Sequence, residues 1–186
     1  MQNKKAGLIL ADGFEETEAV TVVDVLRRAG TEVIVAGLTG DREWAEGAHG
    51  LKVGVEADLS GLVNEELDLL VLPGGMPGAR KLAGSEPVLE LLRKVDKKGK
   101  MIGAICAAPM VLAKAGLVRG RRVTCYPGIE SELEGAVYTG SQVEIDGRLI
   151  TANGPGGALE FALTLAAELG MTKEADKLRQ GMLVSR

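Results

Sequence analysis

The chain has 186 residues and a formal net charge of −4, and its 46% hydrophobic and 26% charged residues suit one globular domain over residues 1–186. The negative charge gives no electrostatic footprint for nucleic acid, and no apolar run reaches the length that crosses a membrane. Two cysteines without a cleavable signal pattern predict free thiols in a cytoplasmic protein.

Strands and helices are predicted in alternation along the chain. Apolar runs predict strands over 5–11, 32–38, 51–55, 68–72, 101–105 and 122–125. Apolar residues at helical spacing predict helices over about 15–29, from the cap Ser85 to the stop Gly99, and over 107–115, 158–169 and about 172–183. Asp146-Gly147 predicts a hairpin within 143–150. The Gly-rich, charged stretch 39–50 is expected to be a loop or a crossing segment.

This alternation predicts an α/β protein with a doubly wound, mostly parallel sheet that is covered on both faces. Functional sites in such sheets lie at the carboxyl ends of the strands. Four segments follow predicted strands in this way: Asp12-Gly13, Gly74-Gly75, Cys106 and the loop after Cys125.

Cys106 stands between the strand 101–105 and the helix 107–115. A residue at such a sharp turn projects from the sheet, as the nucleophile of the α/β-hydrolases does. The helix N-terminus favours a thiolate, so Cys106 is predicted to be a thiolate at neutral pH. A free cysteine is also commonly a small buried hydrophobe, and the local pattern leaves both interpretations open. Cys125 precedes Tyr126 in a short strand, so the two should face opposite ways, with Cys125 in the core.

Three glutamates, Glu15, Glu16 and Glu18, open the first helix. Carboxylates favour a helix N-terminus, which accounts for at least one of them. The same turn lies at the rim of the expected cleft, where a buried, protonated carboxyl would donate a hydrogen bond to Cys106 and serve as a general acid or base.

Other candidate motifs are weaker. The run GPGG at 154–157 lacks the spacing of a dinucleotide or phosphate loop and is interpreted as a turn or an anion-binding helix start. One histidine and two cysteines give no metal-ligand spacing, so no metal or other cofactor is expected. His49 is the one candidate for a Cys–His pair, although a lone histidine in a polar loop is more often exposed to solvent.

Together these segments resemble the ThiJ/PfpI superfamily, and most closely its Parkinsonism-associated DJ-one (protein deglycase) branch. The resemblance runs nearly end to end, through LADGFEETE at 10–18, VLRRAG at 25–30, VLPGG at 71–75, AICAAP at 104–109 and NGPG at 153–156.

The resemblance implies a flavodoxin-like sandwich, similar to the class I glutamine amidotransferases, and a homodimer without a cofactor. It implies that Cys106 is a strained nucleophile hydrogen-bonded to Glu18, and that the backbone of Gly74 and Gly75 lines an oxyanion position. Further residues are assigned to the same site by motif position, Ala107, Tyr126 and Pro155 as substrate-binding residues and His49 and Arg28 as accessory residues.

The chain departs from the family at both positions where relatives carry a histidine. The DJ-one branch often has one where this chain has Tyr126, and the PfpI-type peptidases have one where this chain has Ala107. The segments AHGLKV at 48–53 and YPGI at 126–129 resemble PfpI-type members instead. This mixture favours a Cys–Glu mechanism over a Cys–His peptidase.

Three functions are therefore considered. The first is cofactor-free conversion of methylglyoxal or glyoxal to the hydroxy acid, with removal of early glycation adducts from proteins. The second is a redox-sensing or holdase-type protein in which Cys106 is oxidised to the sulfinate. The third is a PfpI-like cysteine peptidase, which would require His49 to reach Cys106.

Overall fold

The structure, a computed structural model, describes residues 4–40 and 42–184. Residues 1–3 of the predicted N-terminal segment lie outside these ranges. Seven strands form the central sheet: β1 (Lys5–Leu10), β2 (Glu32–Gly37), β5 (Ala57–Asp58), β6 (Leu69–Leu72), β7 (Met101–Ile105), β10 (Val143–Asp146) and β11 (Leu149–Ala152). Two small sheets hold β3 (Trp44–Glu46) with β4 (Lys52–Gly54), and β8 (Arg122–Val123) with β9 (Val137–Tyr138). The α-helices are α1 (Glu16–Arg28), α2 (Leu59–Val63), α3 (Gly78–Ala83), α4 (Glu86–Lys97), α5 (Pro109–Lys114), α6 (Ala158–Ala166) and α7 (Thr172–Gly181).

The central sheet has the strand order β10-β11-β7-β6-β1-β2-β5. Every neighbouring pair is parallel except β10 with β11, which is antiparallel. The inner strands β1 and β6 are apolar and almost wholly buried, as expected for parallel strands covered on both faces. The predicted α/β class with a mostly parallel sheet is confirmed.

The helices fall into two contact groups around this sheet. Helix α1 packs against α6, which in turn contacts α7. Helix α4 contacts α2, α3 and α5, together with strands β6 and β7. Within the described ranges no helix combines the length and apolar character needed to cross a membrane.

Residue 41 of the predicted stretch 39–50 lies outside the described ranges, and the rest of the stretch is more regular than its composition predicts. It contains β3, which pairs with β4 in an antiparallel hairpin. The predicted strand 51–55 therefore belongs to this hairpin and not to the central sheet, whose edge is the two-residue strand β5. Arg42 and Lys52 stack on the Trp44 ring, at 4.7 and 4.0 Å from its centroid. These cation–π contacts stabilise the hairpin and help to offset the conformational entropy that its glycines lose on folding.

Several helix predictions need correction. The helix after Cys106 begins at Pro109, because residues 106–108 form a turn before the chain becomes helical. Ser85 occupies the N-cap of α4 but its side chain makes no capping hydrogen bond. Helices α2 and α3 were not predicted, since five and six residues are too few to show helical periodicity. The predicted strand over 122–125 keeps only Arg122 and Val123.

Candidate active site

Cys106 lies immediately after β7 and adopts a left-handed backbone conformation, with φ of 64°. Its own backbone is held on both sides, because its N–H donates to the Ala152 carbonyl at 2.8 Å and its carbonyl accepts from the Tyr126 N–H at 2.9 Å. A non-glycine residue in this region costs about 1–2 kcal/mol. The end of the neighbouring strand β11 and the loop at Tyr126 therefore hold Cys106 in the sharp turn that the sequence predicts.

Glu18 reaches this elbow from the first turn of α1. The residue is 0% exposed, and its Oε2 accepts a hydrogen bond from the Gly74 N–H at 2.7 Å. Its Oε1 is buried without a hydrogen-bond partner among the described residues, and the adjacent Cys106 thiol is the titratable group whose pKa is coupled to that of this carboxyl. The structure thus brings Glu18 and Cys106 together, since a Cβ on Gly74 would lie close to both side chains.

The environment of this pair changes the acidity of both groups. Burial raises the pKa of Glu18 from its usual 4.5 to about 7, against the Gly74 hydrogen bond, which lowers it. Burial and the Glu18 carboxylate raise the pKa of Cys106 to about 12, against hydrogen bonds from the Gly75 and Ala107 backbone, which lower it. Two adjacent buried groups do not both ionise readily, so the pair keeps at least one proton at neutral pH.

The prediction that Cys106 is a thiolate at neutral pH is therefore wrong, because its pKa is raised to about 12. Helix α5 is only six residues long and begins three residues after Cys106, so its terminus is a weak source of positive potential at the sulfur. The stronger influences are burial of the thiol and, after it, Glu18, whose negative charge opposes a second one on the sulfur. Cys106 becomes a thiolate when Glu18 holds the proton.

The glycines of the loop after β6 allow Cys106 and Glu18 to meet. A Cβ on Gly74 would lie 2.6 Å from the Cys106 Cβ and 2.8 Å from Glu18 Oε2, so no other residue fits there. Because the Gly74 N–H is bonded to Glu18, it is not free for an oxyanion, contrary to the role that the resemblance implies. The N–H groups of Gly75 and Ala107, which face the sulfur, are the donors available to a substrate oxygen.

His49 lies beside Glu16. The backbone N–H of His49 donates to Glu16 Oε1 at 2.6 Å, and its Nδ1 lies 2.9 Å from Glu16 Oε2. The hydrogen bond to Glu16 raises the pKa of the His49 ring, while that side chain is 78% exposed. Burial would raise the pKa of Glu16, but its bonds to His49 outweigh that effect and lower it. His49 is thus committed to Glu16, in agreement with an exposed histidine and not with a Cys–His pair.

Possible metal ligands meet in one group within the described ranges. Ligand atoms of Glu15, Glu16 and His49 lie within 4.8 Å of one another. Both oxygens of Glu16 already bond to His49, and Glu15 Oε2 accepts from the Glu18 N–H at 2.7 Å. A cation would have to displace these bonds to bind here.

The remaining predicted residues occupy distinct places. Tyr126 is 50% exposed beside the elbow, whereas Cys125 is fully buried, so the two face opposite ways as predicted. Pro155 opens a short 3-10 turn after β11. Arg28 pairs with Asp24 at 2.8 Å, ten residues and about 15 Å along α1 from Glu18, so within one chain it does not reach the site.

Two contributors to the site escaped prediction. Glu15 is the N-cap of α1, and its side chain accepts the N–H of Glu18, which fixes the first helical turn. The spacing of the two glutamates resembles a capping box and was the available signal. The carbonyl of Ala152 holds the Cys106 N–H, and a backbone acceptor of this kind leaves no signal in the sequence.

Both the sequence and the fold of this chain are similar to those of known proteins. Residues 4–168 match the DJ-1/PfpI family. The chain belongs to the DJ-1/PfpI family. It is 40% identical to the protein dj-1beta of Drosophila melanogaster over 98% of both chains, and the crystal structure of that protein superposes with a TM-score of 0.95 over the whole of each chain.

Two further members of the DJ-1/PfpI family are informative. A relative from Caenorhabditis elegans, named glutathione-independent glyoxalase DJR-1.2, is 35% identical over the full length of both proteins. The structure of an oxidized DJ-1 from Toxoplasma gondii is 34% identical, covers 98% of this chain and 100% of its own, and has a TM-score of 0.93.

Proposed function

We propose that this protein is a cofactor-independent glyoxalase that converts methylglyoxal and glyoxal to their 2-hydroxy acids. The observation that carries the proposal is the Cys106–Glu18 pair, a buried nucleophile that shares a proton with a carboxyl of pKa about 7. A general base is most effective when its pKa lies near the working pH. The C. elegans relative named as a glyoxalase supports the choice of reaction.

The first step forms a carbon–sulfur bond. Glu18 as the carboxylate takes the thiol proton of Cys106, and the sulfur adds to the aldehyde carbon of the dicarbonyl. The aldehyde oxygen gains negative charge and is stabilised by the N–H groups of Gly75 and Ala107. Glu18 then returns the proton to that oxygen, which gives a neutral hemithioacetal and a free carboxylate.

The second step moves hydrogen between adjacent carbons. Glu18 removes the proton from the former aldehyde carbon, and the electron pair forms an enediolate with the neighbouring carbonyl. The same carboxyl returns the proton to that neighbouring carbon, and the hydroxyl proton of the first carbon passes to the second oxygen. The product is a thioester of Cys106, in which one carbon has been oxidised and the other reduced without an external redox partner.

Hydrolysis completes the cycle. Water attacks the thioester carbonyl and expels the sulfur of Cys106, which regains a proton. Methylglyoxal gives lactate and glyoxal gives glycolate. In early glycation adducts the former aldehyde carbon carries a hydroxyl group and the protein amine. Displacement of that amine by the Cys106 sulfur breaks the carbon–nitrogen bond, releases the protonated amine and gives the same hemithioacetal, which extends the proposal to a deglycase.

The decisive test is turnover of methylglyoxal by the purified protein in the presence of a chelator and without glutathione. We expect the wild type to form lactate and Cys106→Ser to lose essentially all activity, because a serine hydroxyl is a far poorer nucleophile than a thiol. Cys125→Ser is the matched control and should retain turnover, since Cys125 is buried and faces away from the site. Lactate formation by Cys106→Ser at the wild-type rate would refute the proposal.

A redox role is the second candidate, and the hydrogen-bond donors around Cys106 favour it. A sulfinate formed by two successive peroxide oxidations would place oxygens near Gly75, Ala107 and a protonated Glu18. The T. gondii relative in an oxidized form supports this possibility. Two observations together would favour the redox role over the glyoxalase. Peroxide should add the mass of two oxygens to Cys106 at concentrations that leave Cys125 unchanged, and the protein should lack dicarbonyl turnover.

The peptidase function has weaker support. It needs a histidine at Cys106, and His49 is bonded to Glu16 instead. We expect His49→Gln to change dicarbonyl turnover by less than about threefold, because the His49 ring is largely exposed and is bonded to Glu16 instead of Cys106. A loss as large as that of Cys106→Ser would instead identify His49 as the catalytic base and favour the peptidase.

A further inference from the structure

Tyr126 is the aromatic residue that adjoins the elbow. Its N–H donates to the carbonyl of Cys106 at 2.9 Å, so its Cα is fixed next to the nucleophile. Its ring packs over Gly154, where an added Cβ would lie 3.2 Å from Tyr126 Cδ2. Gly154 follows Ala152 by two residues, and Ala152 accepts the N–H of Cys106. Tyr126 and Gly154 therefore border the mouth of the site on the side of β7 and β11.

The ring is held in place but not covered. The turn that follows it is closed by the Ile129 N–H, which donates to the Tyr126 carbonyl at 3.1 Å, and by the Gly128 N–H, which donates to Glu130 at 2.7 Å. With one part of the ring against Gly154, the side chain still leaves 50% of its surface exposed. A flat aromatic surface that is already ordered binds an apolar group with little further loss of entropy.

The opposite side of the site carries negative charge. The first turn of α1 brings three carboxyl groups together, on Glu15, Glu16 and Glu18, and the proton of the Cys106–Glu18 pair neutralises only one charge there. Among the described residues, the basic side chain paired with this turn is His49, which is bonded to Glu16 and largely exposed. A substrate that itself carries a carboxylate would be repelled by this turn, whereas a neutral substrate would not.

We propose that Tyr126 makes this site selective for neutral 2-oxoaldehydes that carry a flat apolar substituent. This inference rests on the glyoxalase function proposed above and specifies its substrate class. The aldehyde carbon bonds to Cys106, and the substituent on the adjacent carbonyl carbon extends over the Tyr126 ring. Phenylglyoxal represents this class, and methylglyoxal is the reference with a substituent too small to stack.

The first measurement is kcat/KM for phenylglyoxal and for methylglyoxal with the same enzyme preparation. In Tyr126→Ala the ratio of the two values should fall roughly tenfold from that of the wild type, as expected for loss of one aromatic contact, and the change should lie mainly in KM for phenylglyoxal. Tyr126→Phe keeps the ring and should keep the ratio within about twofold. Tyr138→Ala, which removes the only other tyrosine, is the matched control.

An unchanged ratio in Tyr126→Ala would overturn the proposal, and so would an equal fall in Tyr126→Phe, because the hydroxyl would then be responsible. A ratio of two substrates does not change when a variant merely loses folded protein, since both rates fall together. Thermal unfolding of each variant confirms that the native state is populated.

A second measurement does not depend on turnover. The neutral product analogues mandelamide and lactamide differ in the same way, and each can be tested for protection of Cys106 against alkylation. Mandelamide should protect the wild type at roughly tenfold lower concentration than lactamide, and this difference should disappear in Tyr126→Ala. If the wild type turns over neither dicarbonyl, the glyoxalase proposal fails while this protection still decides the role of Tyr126. Equal protection by both amides in the wild type refutes that role.

Discussion

The carboxyl of Glu18 and the thiol of Cys106 form one buried, electrostatically coupled pair, with the two residues 0% and 8% exposed. The ionisation of each group therefore depends on the charge of the other. A substitution of Glu18 should therefore change the pKa of the Cys106 thiol, and titration experiments can measure that change.

The acidity of Cys106 should increase when Glu18 is neutralised. The Glu18 charge raises the pKa of Cys106, so Glu18→Gln should move the midpoint of Cys106 alkylation to lower pH by a unit or more. Iodoacetamide labelling across pH, quantified on the Cys106 peptide, measures this shift. Cys125 is the internal control, since burial and Glu130 raise its pKa to about 11. A midpoint that stays in place or rises in Glu18→Gln would show that Glu18 does not control the sulfur.

Turnover should depend on the ability of Glu18 to accept a proton. Glu18→Gln preserves shape and a hydrogen-bond donor but cannot act as a base, so methylglyoxal turnover should fall by roughly two or more orders of magnitude. Glu18→Asp should be intermediate, because the carboxyl is shortened by one methylene. Covalent labelling of Cys106 by the dicarbonyl should persist in Glu18→Gln, which mass spectrometry can detect.

The control for Glu18→Gln is Glu174→Gln in α7, an exposed glutamate in the first turn of another helix. This variant should keep wild-type turnover. Wild-type activity in Glu18→Gln would rule out Glu18 as the proton shuttle and would strengthen the redox function.

Burial of Glu18 should make the protein less stable as pH rises from about 4.5 to 7. In the unfolded chain Glu18 ionises near 4.5, whereas in the folded protein its pKa is about 7. Between these values the folded state binds one more proton than the unfolded state, so the free energy of unfolding falls by up to about 3 kcal/mol. Because glutamine does not ionise, the stability of Glu18→Gln relative to wild type should increase from pH 5 to pH 8. Urea unfolding at both values measures this; a difference that is constant with pH contradicts it.

Gly74 should tolerate no side chain. A Cβ at this position would lie 2.6 Å from Cys106 Cβ and 2.9 Å from the Ala107 nitrogen, so Gly74→Ala must displace the elbow. We expect turnover to fall about 100-fold, the effect of misplacing reacting groups by about 1 Å, and stability to fall by about 1–3 kcal/mol. Gly156→Ala is the matched control because an added Cβ there meets no atom within 4 Å. Comparable losses in both variants would show that the effect is not specific to the Cys106–Glu18 contact.

The protein should form a homodimer in solution. Val20 on α1 is 45% exposed, and it lines a groove of about 760 Å³ between α1 and β4 together with Val23 and Val53. Val25 on the same helix is buried in the core. Burial of such an apolar groove against a second copy is favourable, and Val20→Glu should oppose it. Light scattering should give about twice 19.4 kDa for the wild type, whereas a mass of 19.4 kDa would contradict the prediction.

The sequence predicts the parallel sheet because its strands are continuous apolar runs with sharp boundaries. The runs 5–11, 68–72 and 101–105 each correspond to a buried strand, and all three end at the active site. Prediction fails where elements are short or depend on distant partners. Strand β5 has two residues and β9 has two exposed ones, so neither carries a hydrophobic pattern.

In the candidate site, too, features with a local sequence pattern could be predicted, whereas features that depend on distant residues could not. Cys106 and Glu18 could be predicted because each lies next to a recognisable strand or helix boundary. The acidity of Cys106 could not, because it depends on burial and on a carboxylate 88 positions away in the sequence. In the folded protein the single N–H of Gly74 donates to Glu18, so it is not available to a substrate oxygen. The position of Gly74 in the motif does not reveal this.

The two hydrogen bonds that hold the Cys106 backbone come from Ala152 and Tyr126, and neither involves the sulfur. The left-handed turn is therefore maintained by the scaffold whatever side chain occupies the position. Exchange of the nucleophile, as in Cys106→Ser, should leave the local backbone unchanged and alter only the reacting atom. A protein built in this way can acquire a different reaction by changing one side chain, because the geometry of attack is already supplied by its neighbours.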